Sequence, residues 1–416
     1  MSLRPRSKRD WGRLGMTSEW KTSPLRDLVG FISKGIAPSY ADEESETTVR
    51  VLNQKCNRNF RITYSESRLH DLARKKVPAE RFVRIDDILI NSTGAGTAGR
   101  IAQICNLPCD TIVDGHMIII RANDKVSQKY LGYAMKAHQW EVLQLDEGST
   151  GQTELNRERL LDEIMISYPT SFSLQEMVVK TLEGIDQKLL INEKVNDNLE
   201  QQAQALFQEL FIENADPEWR EGTISDLGTV VGGSTPSKSK PEYYTEHGIA
   251  WITPKDLSVN KAKFITHGEN DITELGLKNS SASIMPEGTV LFSSRAPIGY
   301  IAIAAGEVTT NQGFKSVIPR PAIGTPFVYY FLKNALPTIE GMASGSTFKE
   351  VSGSTMKIVP AFIPDDETLA RFTEFCSPIF EQQQMLERQN QSLAALRDSL
   401  LPKLMSGEID VSDVSI

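Results

Sequence analysis

The sequence predicts an α+β protein in which two similar mixed α/β domains alternate with two long helices. Short sequence matches recur roughly 200 residues apart, and two stretches of about 40 residues each carry a heptad pattern. Between these stretches, short apolar runs are broken by Gly, Pro and Ser, a texture typical of strand-rich domains. The 416-residue length and 40 % hydrophobic content are sufficient for more than one core.

The internal repeat rests on six pairs of matched segments that occur in the same order in both halves. They are residues 19–20 with 218–219, 88–92 with 290–294, 99–102 with 299–302, 130–133 with 327–330, 148–150 with 345–347, and 168–169 with 363–364. Each match is short, but six in one order at a nearly constant offset indicate a duplication. We therefore expect a first domain over residues 1–171 and a second, similar domain over residues 215–364.

Each domain is followed by a helix, predicted over residues 172–214 and 365–416, the second with a C-terminal tail. Mostly apolar positions alternate four and three residues apart along both, which is a heptad seam. The seams are Val178, Leu182, Ile185, Leu189, Asn192, Asn196, Leu199, Ala203, Leu206 and Leu210, and Phe372, Cys376, Ile379, Gln383, Leu386, Asn390, Leu393, Arg397, Leu400 and Leu404.

Narrow seams of this length favour an intramolecular antiparallel coiled coil that separates the two domains, a pseudo-two-fold dumbbell. Asn196 and Asn390 occupy equivalent seam positions, and we expect them to form a polar layer that fixes the register. The alternative is two amphipathic helices, each packed on its own domain.

Charge is distributed unevenly along the chain, whose formal net charge is -9. Residues 172–213 and 365–416 are acidic, whereas residues 50–84 contain ten Lys or Arg and three Asp or Glu. This predicts a basic surface on the first domain and acidic helices. Four cysteines are too few for a disulfide framework, and neither a membrane-spanning run nor the apolar core of a secretory signal occurs. We expect a cytoplasmic protein without a structural metal.

Gly94, Gly96 and Gly99 have the G-x-G-x-x-G spacing of a dinucleotide-binding loop. That site needs a helix after the glycines, but the following residues alternate apolar and polar and contain a proline. The repeat places Gly299 in a similar apolar context, with Pro297 in the loop. The pattern therefore predicts a strand–loop–strand turn and no bound cofactor.

Other catalytic patterns are also missing from the sequence, including the P-loop, the H-E-x-x-H helix and the G-x-S-x-G elbow. The acidic group Asp365, Asp366 and Glu367 opens a predicted helix, where carboxylates favour the helix N-terminus, so capping is a better interpretation than a metal site. We expect a non-catalytic protein.

Both domains carry polar side chains of the kinds that contact DNA. Asn or Gln can bind adenine, Lys or Arg suits guanine, and cations hold phosphates. The base-reading candidates are Asn53, Gln54, Lys55, Asn311, Gln312 and Lys315, and the phosphate candidates are Arg58, Arg74, Lys75, Lys76, Ser92, Thr93, Arg100, Lys255 and Arg295; Thr253 is a further DNA-contact candidate. The Gly-Ser-Thr loops add Ser149, Thr150, Gln152, Ser346, Thr347 and Lys349. The alternative for each is a solvated surface residue or an ordinary turn.

Several motifs resemble those of one known family. The chain carries LRDSLLPKLMSGEI at 396–409, WITPKDL at 251–257, VLFSSRAPIG at 290–299 and NQGFK at 311–315, with related versions at 51–55 and 88–94. In these segments it resembles the specificity (S) subunit of a type I DNA restriction–modification system.

The resemblance implies that each domain is a target-recognition domain that reads one half of a bipartite, asymmetric DNA site. It implies that the helices set the spacer and dock two methyltransferase (M) subunits, and that restriction/translocase (R) subunits join this core. S-adenosylmethionine, ATP and Mg²⁺ would then belong to the partner subunits, with no cofactor in this one. The residues alone leave open a bivalent adaptor that bridges two copies of a partner protein without DNA, and a nucleotide enzyme built on the Gly94 loop.

Overall fold

The computed structural model describes residues 19–147, 154–345 and 349–411, apart from the side chains of Asp146 and Glu147. The chain divides into two compact units: unit 1 comprises Met1–Gln187 with Ala394–Ile416, and unit 2 comprises Lys188–Leu393. We refer to residues 19–169 of unit 1 as the first head and residues 220–363 of unit 2 as the second head.

The first head contains fourteen strands and three helices in its described residues. The strands are β1 Trp20–Pro24, β2 Val29–Lys34, β3 Tyr40–Ala41, β4 Thr48–Leu52, β5 Asn57–Arg58, β6 Arg61–Ile62, β7 Arg68–Asp71, β8 Ile88–Asn91, β9 Ile101–Gln103, β10 Thr111–Val113, β11 Met117–Ala122, β12 Asp146–Glu147, β13 Glu154–Leu155 and β14 Met165–Pro169. The helices are α1 Gln128–Ala137, α2 Gln139–Leu143 and α3 Arg157–Glu163. The long helix α4, Phe172–Gln208, follows and ends in a π-helical turn over Glu209–Glu213.

The second head has a similar set of elements. The strands are β15 Arg220–Thr223, β16 Gly228–Gly232, β17 Tyr244–Thr245, β18 Ile249–Ile252, β19 Phe264–Ile265, β20 Asp271–Ile272, β21 Val290–Ser294, β22 Ile298–Ala304, β23 Thr309–Thr310, β24 Lys315–Pro319 and β25 Pro360–Ile363. The helices are α5 Ile224–Leu227, α6 Pro254–Val259, α7 Glu274–Lys278, α8 Thr325–Asn334, α9 Leu336–Gly341 and α10 Gly353–Lys357, followed by the long helix α11, Asp366–Met405.

The sheet topology confirms that the fold is repeated. The first head has sheets of order β2-β11-β8-β9 and β10-β4-β7-β3, and the second has β16-β24-β21-β22-β19 and β23-β18-β20-β17. Each head also pairs its first strand with its last, β1 with β14 and β15 with β25. The matched strands lie where the sequence matches place them, so the two heads are copies of one architecture that differ in peripheral elements, among them β5, β6, β12 and β13 of the first head and β19, α6 and α7 of the second.

The central strands are buried on both faces, which explains their continuous apolar sequences. In the first head, Ile88 and Ile90 pack with α1 in one core cluster, whereas the intervening Leu89 packs in a second cluster with Leu52 of the other sheet. In the second head, Val290 and Phe292 pack with α8, and Leu291 faces the other way. Each head is therefore a sheet covered by helices on one side and by a second sheet on the other.

Both long helices bury the predicted seams, whose side chains are all buried or half-buried. In unit 1, Val178 and Leu182 of α4 share a core with Leu401 and Leu404 of α11. In unit 2 the two helices run in opposite directions, because Asn192 contacts Asn390 whereas Phe207 contacts Phe372. Helix α11 begins as expected, with the Asp365 carboxylate accepting a hydrogen bond from Thr368 N at 2.8 Å.

The prediction that Asn196 and Asn390 form a polar layer together is wrong. Asn192 Nδ2 donates to Asn390 Oδ1 at 2.8 Å, while the backbone oxygen of Asn196 accepts from Gln383 at 3.3 Å and its buried Oδ1 has no hydrogen-bond partner. Residues at equivalent places in a repeat face each other across an antiparallel pair only at the symmetry axis. Asn196 lies one layer away from Asn390, and Asn192 takes its place.

Candidate nucleic-acid interface

Five of the predicted DNA-contacting residues in the second head line a single cleft of about 720 Å³. They come from three places that are distant in sequence: the start of α6, the β21–β22 loop and the segment after β23. The five are Thr253, Lys255, Arg295, Asn311 and Gln312. The fold thus brings amides, a hydroxyl and two cations to one concave surface.

The helix α6 supplies the side of the cleft that follows β18. Thr253 caps α6, and the Asp256 carboxylate in turn accepts from Thr253 N at 2.7 Å and from Thr253 Oγ1 at 2.6 Å. Lys255 is exposed and its Nζ lies 2.5 Å from Oε2 of Glu269. This hydrogen bond raises the pKa of Lys255 above its ordinary value, so the amine is a full cation at neutral pH.

The opposite side of the cleft is held by hydrogen bonds within the segment after β23. Asn311 Oδ1 accepts from Gly313 N at 2.8 Å, and Gln312 Oε1 accepts a short hydrogen bond from Thr235 Oγ1. These bonds orient both amides, leaving the Nδ2 of Asn311 and the Nε2 of Gln312 as the groups through which they could donate to a base.

Lys315 and Arg295 share the carboxylate of Glu350. Lys315 Nζ lies 3.7 Å from Glu350 Oε1 and donates to the backbone oxygen of Gln312 at 3.2 Å, while Arg295 Nη1 lies 3.3 Å from Glu350 Oε2. Burial lowers the pKa of Lys315. Lys315 therefore supports the Gln312 backbone and is less accessible than the sequence suggests. Lys349, which directly precedes Glu350 in the sequence, is exposed.

Four of the predicted residues of the first head lie around the turn after β4. Asn53 caps a short 3-10 turn, its Oδ1 accepting from Lys55 N at 2.8 Å and its Nδ2 donating to Glu66 O at 2.7 Å. Gln54 is half-buried, whereas Lys55 and Arg58 are exposed. Asn53 thus has a structural role, and the two cations are the accessible members of the cluster.

The glycine loop is a strand–loop–strand turn, as predicted. It joins the antiparallel strands β8 and β9, and no helix follows it. Gly94, Gly96 and Gly99 all have positive φ. At Gly99 a Cβ atom would also lie 3.0 Å from the backbone oxygen of Val142, so the glycine is needed for the close approach of α2. The glycines serve a tight turn and helix packing.

This loop offers only part of the predicted phosphate contacts. Ser92 is buried, its Oγ 3.5 Å from the backbone oxygen of Gly115, so its side chain is not at the surface. Thr93 Oγ1 lies 2.6 Å from Nδ1 of His116, and Arg100 Nη2 donates to Gly96 O at 3.2 Å. The backbone oxygen of Arg100 accepts from Asn57 Nδ2 at 2.9 Å, which connects the loop to the cluster after β4.

The basic run after β7 lies elsewhere and contacts another segment. Arg74 pairs with Asp71 at 3.2 Å and also donates to Tyr40 O at 3.4 Å, and Lys75 Nζ donates to Ala37 O at 2.7 Å. Lys76 is exposed. The predicted residues of the first head therefore fall into two groups with separate contacts. Ser149, Thr150, Gln152, Ser346 and Thr347 lie outside the described residues.

The structure adds cleft residues that sequence reasoning missed, including Thr235, Lys238, Glu269 and Asn270. Lys238 lies in the polar and basic run at residues 237–240, a signal that could have been used. Glu269 gave no such signal, because an acidic residue does not resemble a DNA contact when its neighbours in space are unknown.

Two features are missing from the described part of the chain, residues 19–147, 154–345 and 349–411. No group of three or more His, Cys, Asp or Glu side chains there could hold a metal ion. Within the same residues, no helix combines the length and the apolar character needed to cross a bilayer.

The chain is thus built from two copies of one α+β domain, and the second copy carries a cleft lined by polar and cationic side chains. Residues 17–201 and 217–397 each match the family model described as the type I restriction modification DNA specificity domain. Because the two matches cover most of the chain, the chain belongs to this family.

Individual relatives carry the same description. The chain is 39 % identical over 189 residues to the type I restriction enzyme MjaIX specificity subunit of Methanocaldococcus jannaschii, covering 45 % of this chain and 44 % of that protein. It is 30 % identical over 194 residues to the HindI specificity subunit of Haemophilus influenzae, covering 46 % and 42 %. Each alignment spans less than half of the relative.

Among solved structures, the type I restriction–modification S subunit from M. genitalium matches with a TM-score of 0.55 at 16 % identity. The match covers 94 % of this chain and 98 % of that one. At this identity the similarity establishes a shared fold.

Proposed function

We propose that this chain is the DNA sequence-recognition subunit of a type I restriction–modification complex. In this proposal residues 1–171 and 215–364 are two target-recognition domains, each of which reads one half of a bipartite, asymmetric site. The observation that carries the proposal is the cleft of the second head. It is lined by Lys255, Arg295, Asn311 and Gln312, in a chain that belongs to the type I restriction modification DNA specificity family. These are the side-chain types that read base edges and hold phosphates.

The long helices, over residues 172–214 and 365–416, are proposed to form an intramolecular antiparallel coiled coil. Their opposite directions in unit 2 and the buried seams support this arrangement. Such a coiled coil would hold the two heads at a fixed separation, like a dumbbell, and so set the length of the unspecified spacer. Their acidic character suits docking of two methyltransferase subunits, because acidic helices do not compete for DNA phosphate.

The catalytic steps are assigned to the partners in this proposal. Methyltransferase subunits would bind S-adenosylmethionine, and restriction/translocase subunits would use ATP and Mg²⁺. This chain would contribute sequence recognition in the cytoplasm and no cofactor of its own.

The experiment is a selection from a random duplex library by the full chain in complex with its methyltransferase, repeated at raised salt. We expect two short conserved halves at a fixed spacing, and an affinity that falls with salt because phosphate contacts release counterions. The double variant Lys255→Ala with Lys315→Ala should relax one half, and Lys55→Ala with Arg58→Ala should relax the other.

Failure to find any sequence preference at any salt concentration, while the methyltransferase still binds, would contradict DNA recognition and favour the bivalent adaptor. Equal relaxation of both halves by either double variant would show that one head does not correspond to one half-site.

A further inference from the structure

We propose that Lys255 and Glu269 act as a pair that reads one G·C base pair in the half-site of the second head. The proposal rests on the proposed function, and it adds a specificity-determining carboxylate and the base pair that it recognises. The observation behind it is an exposed, closely paired cation and anion on the wall of a cleft otherwise lined by DNA-contacting side chains.

The two side chains are adjacent to each other and accessible. Lys255 Nζ and Glu269 Oε2 are 2.5 Å apart, and the side chains are 69 % and 61 % exposed. Both residues line the cleft that also contains Asn311 and Gln312. A base edge entering the cleft could therefore meet a donor and an acceptor side by side.

The backbone under the pair is firmly held. Asp256 accepts from Thr253 at the start of α6 through Oδ2 and from the backbone N–H of Glu269 through Oδ1 at 2.9 Å. At Gly268, a Cβ atom would lie 2.7 Å from Asp256 Oδ2, so the chain passes too close to α6 for any other residue. The pair is thus built on a fixed connection between α6 and residues 268–269.

The carboxylate limits what the pair can bind on DNA. An ionised glutamate only accepts hydrogen bonds, and phosphate oxygens are also acceptors and carry negative charge, so Glu269 has no favourable contact with the DNA backbone. In the major groove its suitable partners are exocyclic amines, of which the cytosine N4 amine is the usual partner of Glu. A carboxylate in this position therefore indicates contact with bases.

Lys255 supplies hydrogen-bond donors for the other base of the same pair. Guanine presents O6 and N7 as two neighbouring acceptors, and its paired cytosine presents the N4 amine beside O6. Lys255 would donate to the guanine while Glu269 accepts from the cytosine of the same pair. A T·A pair also offers an acceptor beside an amine, but thymine O4 is one acceptor where guanine has two. The geometry points to G·C.

The same head contains a matched control. Glu274 and Lys278 of α7 form an exposed ion pair, with Lys278 Nζ 3.5 Å from Glu274 Oε2, and neither residue lines the cleft. Glu274→Ala removes the same charge from the same head without altering the cleft wall. Differences between Glu269→Ala and Glu274→Ala therefore report on position and not on net charge.

The test is the library selection, run on the full complex with wild type, Glu269→Ala, Lys255→Ala and Glu274→Ala. We expect Glu269→Ala and Lys255→Ala each to reduce the preference at one and the same G·C position by about ten-fold or more, with the other half-site unchanged. Glu274→Ala should leave every position unchanged. Both cleft residues are exposed, so folding of the variants should be preserved and can be checked by their thermal unfolding midpoint.

Each outcome is decisive. If the wild type selects a bipartite motif but Glu269→Ala leaves it unaltered, or if the affected position is an A·T pair, the assignment of Glu269 to G·C is wrong while the proposed function stands. If the wild type selects no motif, the proposed function fails and this inference fails with it.

Discussion

The two heads are attached to the long helices by the same kind of contact, but the supporting residues differ. In unit 1, Tyr133 OH donates to Asp186 Oδ2 at 2.9 Å, and Lys136 of the same helix lies 3.4 Å from that oxygen. In unit 2, Tyr330 and Lys333 occupy the equivalent positions of α8 and bind Glu200 at 2.8 and 2.7 Å. A tyrosine and a lysine one helical turn apart hold one carboxylate in each unit.

The carboxylates themselves are not equivalent in the repeat. The alignment of the two seams pairs Asp186 with Phe380 of α11, which is not acidic. Phe380 instead packs against Lys263, whose Nζ lies 3.5 Å from its ring centre. Lys263 in turn pairs with Glu200 at 2.8 Å and donates to Gln383 Oε1 at 2.9 Å. The duplication has retained the interaction while changing which residues supply it.

We call the contact between each head and the long helices its junction. The junction of unit 2 is the more deeply buried of the two. Lys263 is 6 % exposed, and burial lowers its pKa to about 8 despite the neighbouring Glu200. Burial alone would raise the pKa of Glu200, but Lys263 and Lys333 outweigh it and lower the value to about 2. In unit 1, burial of Asp186 is likewise outweighed by Lys136 and Arg397, which lower its pKa. Removing either carboxylate leaves cations without their partner, and the consequence should be greater in unit 2.

The largest effect is expected from Glu200→Ala. It leaves the buried Lys263 ammonium without a counter-charge, and breaking a buried pair in this way costs about 3–5 kcal/mol. Asp186→Ala should cost less, because Arg397 is also paired with Asp398. Hydrogen exchange resolved along the full chain measures both, since it reports the stability of each unit separately. Equal losses of protection, or a loss in unit 1 alone for Glu200→Ala, would contradict the difference between the junctions.

The same carboxylate predicts how unit 2 responds to acid. The pKa of Glu200 falls from 4.5 to about 2 on folding, so the folded state holds the charged form more tightly than the unfolded chain does. Its contribution is complete above the unfolded value and is lost as the pH falls from about 4.5 towards 2. The unfolding midpoint of unit 2 should therefore drop more steeply between about pH 5 and pH 2 in the wild type than in Glu200→Gln. Parallel pH profiles for the two proteins would count against the assigned charge state.

The elements that depend on local pattern were predictable from the sequence. Apolar runs indicated the strands β8 and β21, the four–three spacing indicated the buried seams, and the alternation after Gly99 correctly predicted a strand–loop–strand turn. Thr253, Arg295 and Gln312 were each singled out from the sequence, but the sequence did not show that they line one cleft.

Contacts between distant segments were not predictable. The pairing of Asn390 with Asn192 depends on the stagger of two helices, which the repeat alone does not specify. The Lys263–Glu200 contact joins a loop to a helix 63 residues away, and Glu269 acquires its meaning only beside Lys255. These interactions depend on tertiary geometry, which the identity of a single residue does not indicate.

The smallest difference between the two heads concerns the turns at Gly99 and Gly299. Gly99 and Gly299 both have positive φ, which costs a residue with a side chain about 1–2 kcal/mol. At Gly99 a Cβ would also press on the backbone oxygen of Val142 at 3.0 Å, whereas at Gly299 it would meet Leu336 Cδ1, the end of a side chain that can rotate. Gly99→Ala should therefore be the more destabilising substitution when local stability of the two hairpins is measured by hydrogen exchange.

Gly96→Ala is the matched control, because Gly96 also has positive φ but nothing lies within 4 Å of its Cβ position. This substitution should therefore show the backbone cost alone. If Gly99→Ala costs no more than Gly96→Ala, the approach of α2 does not explain the glycine.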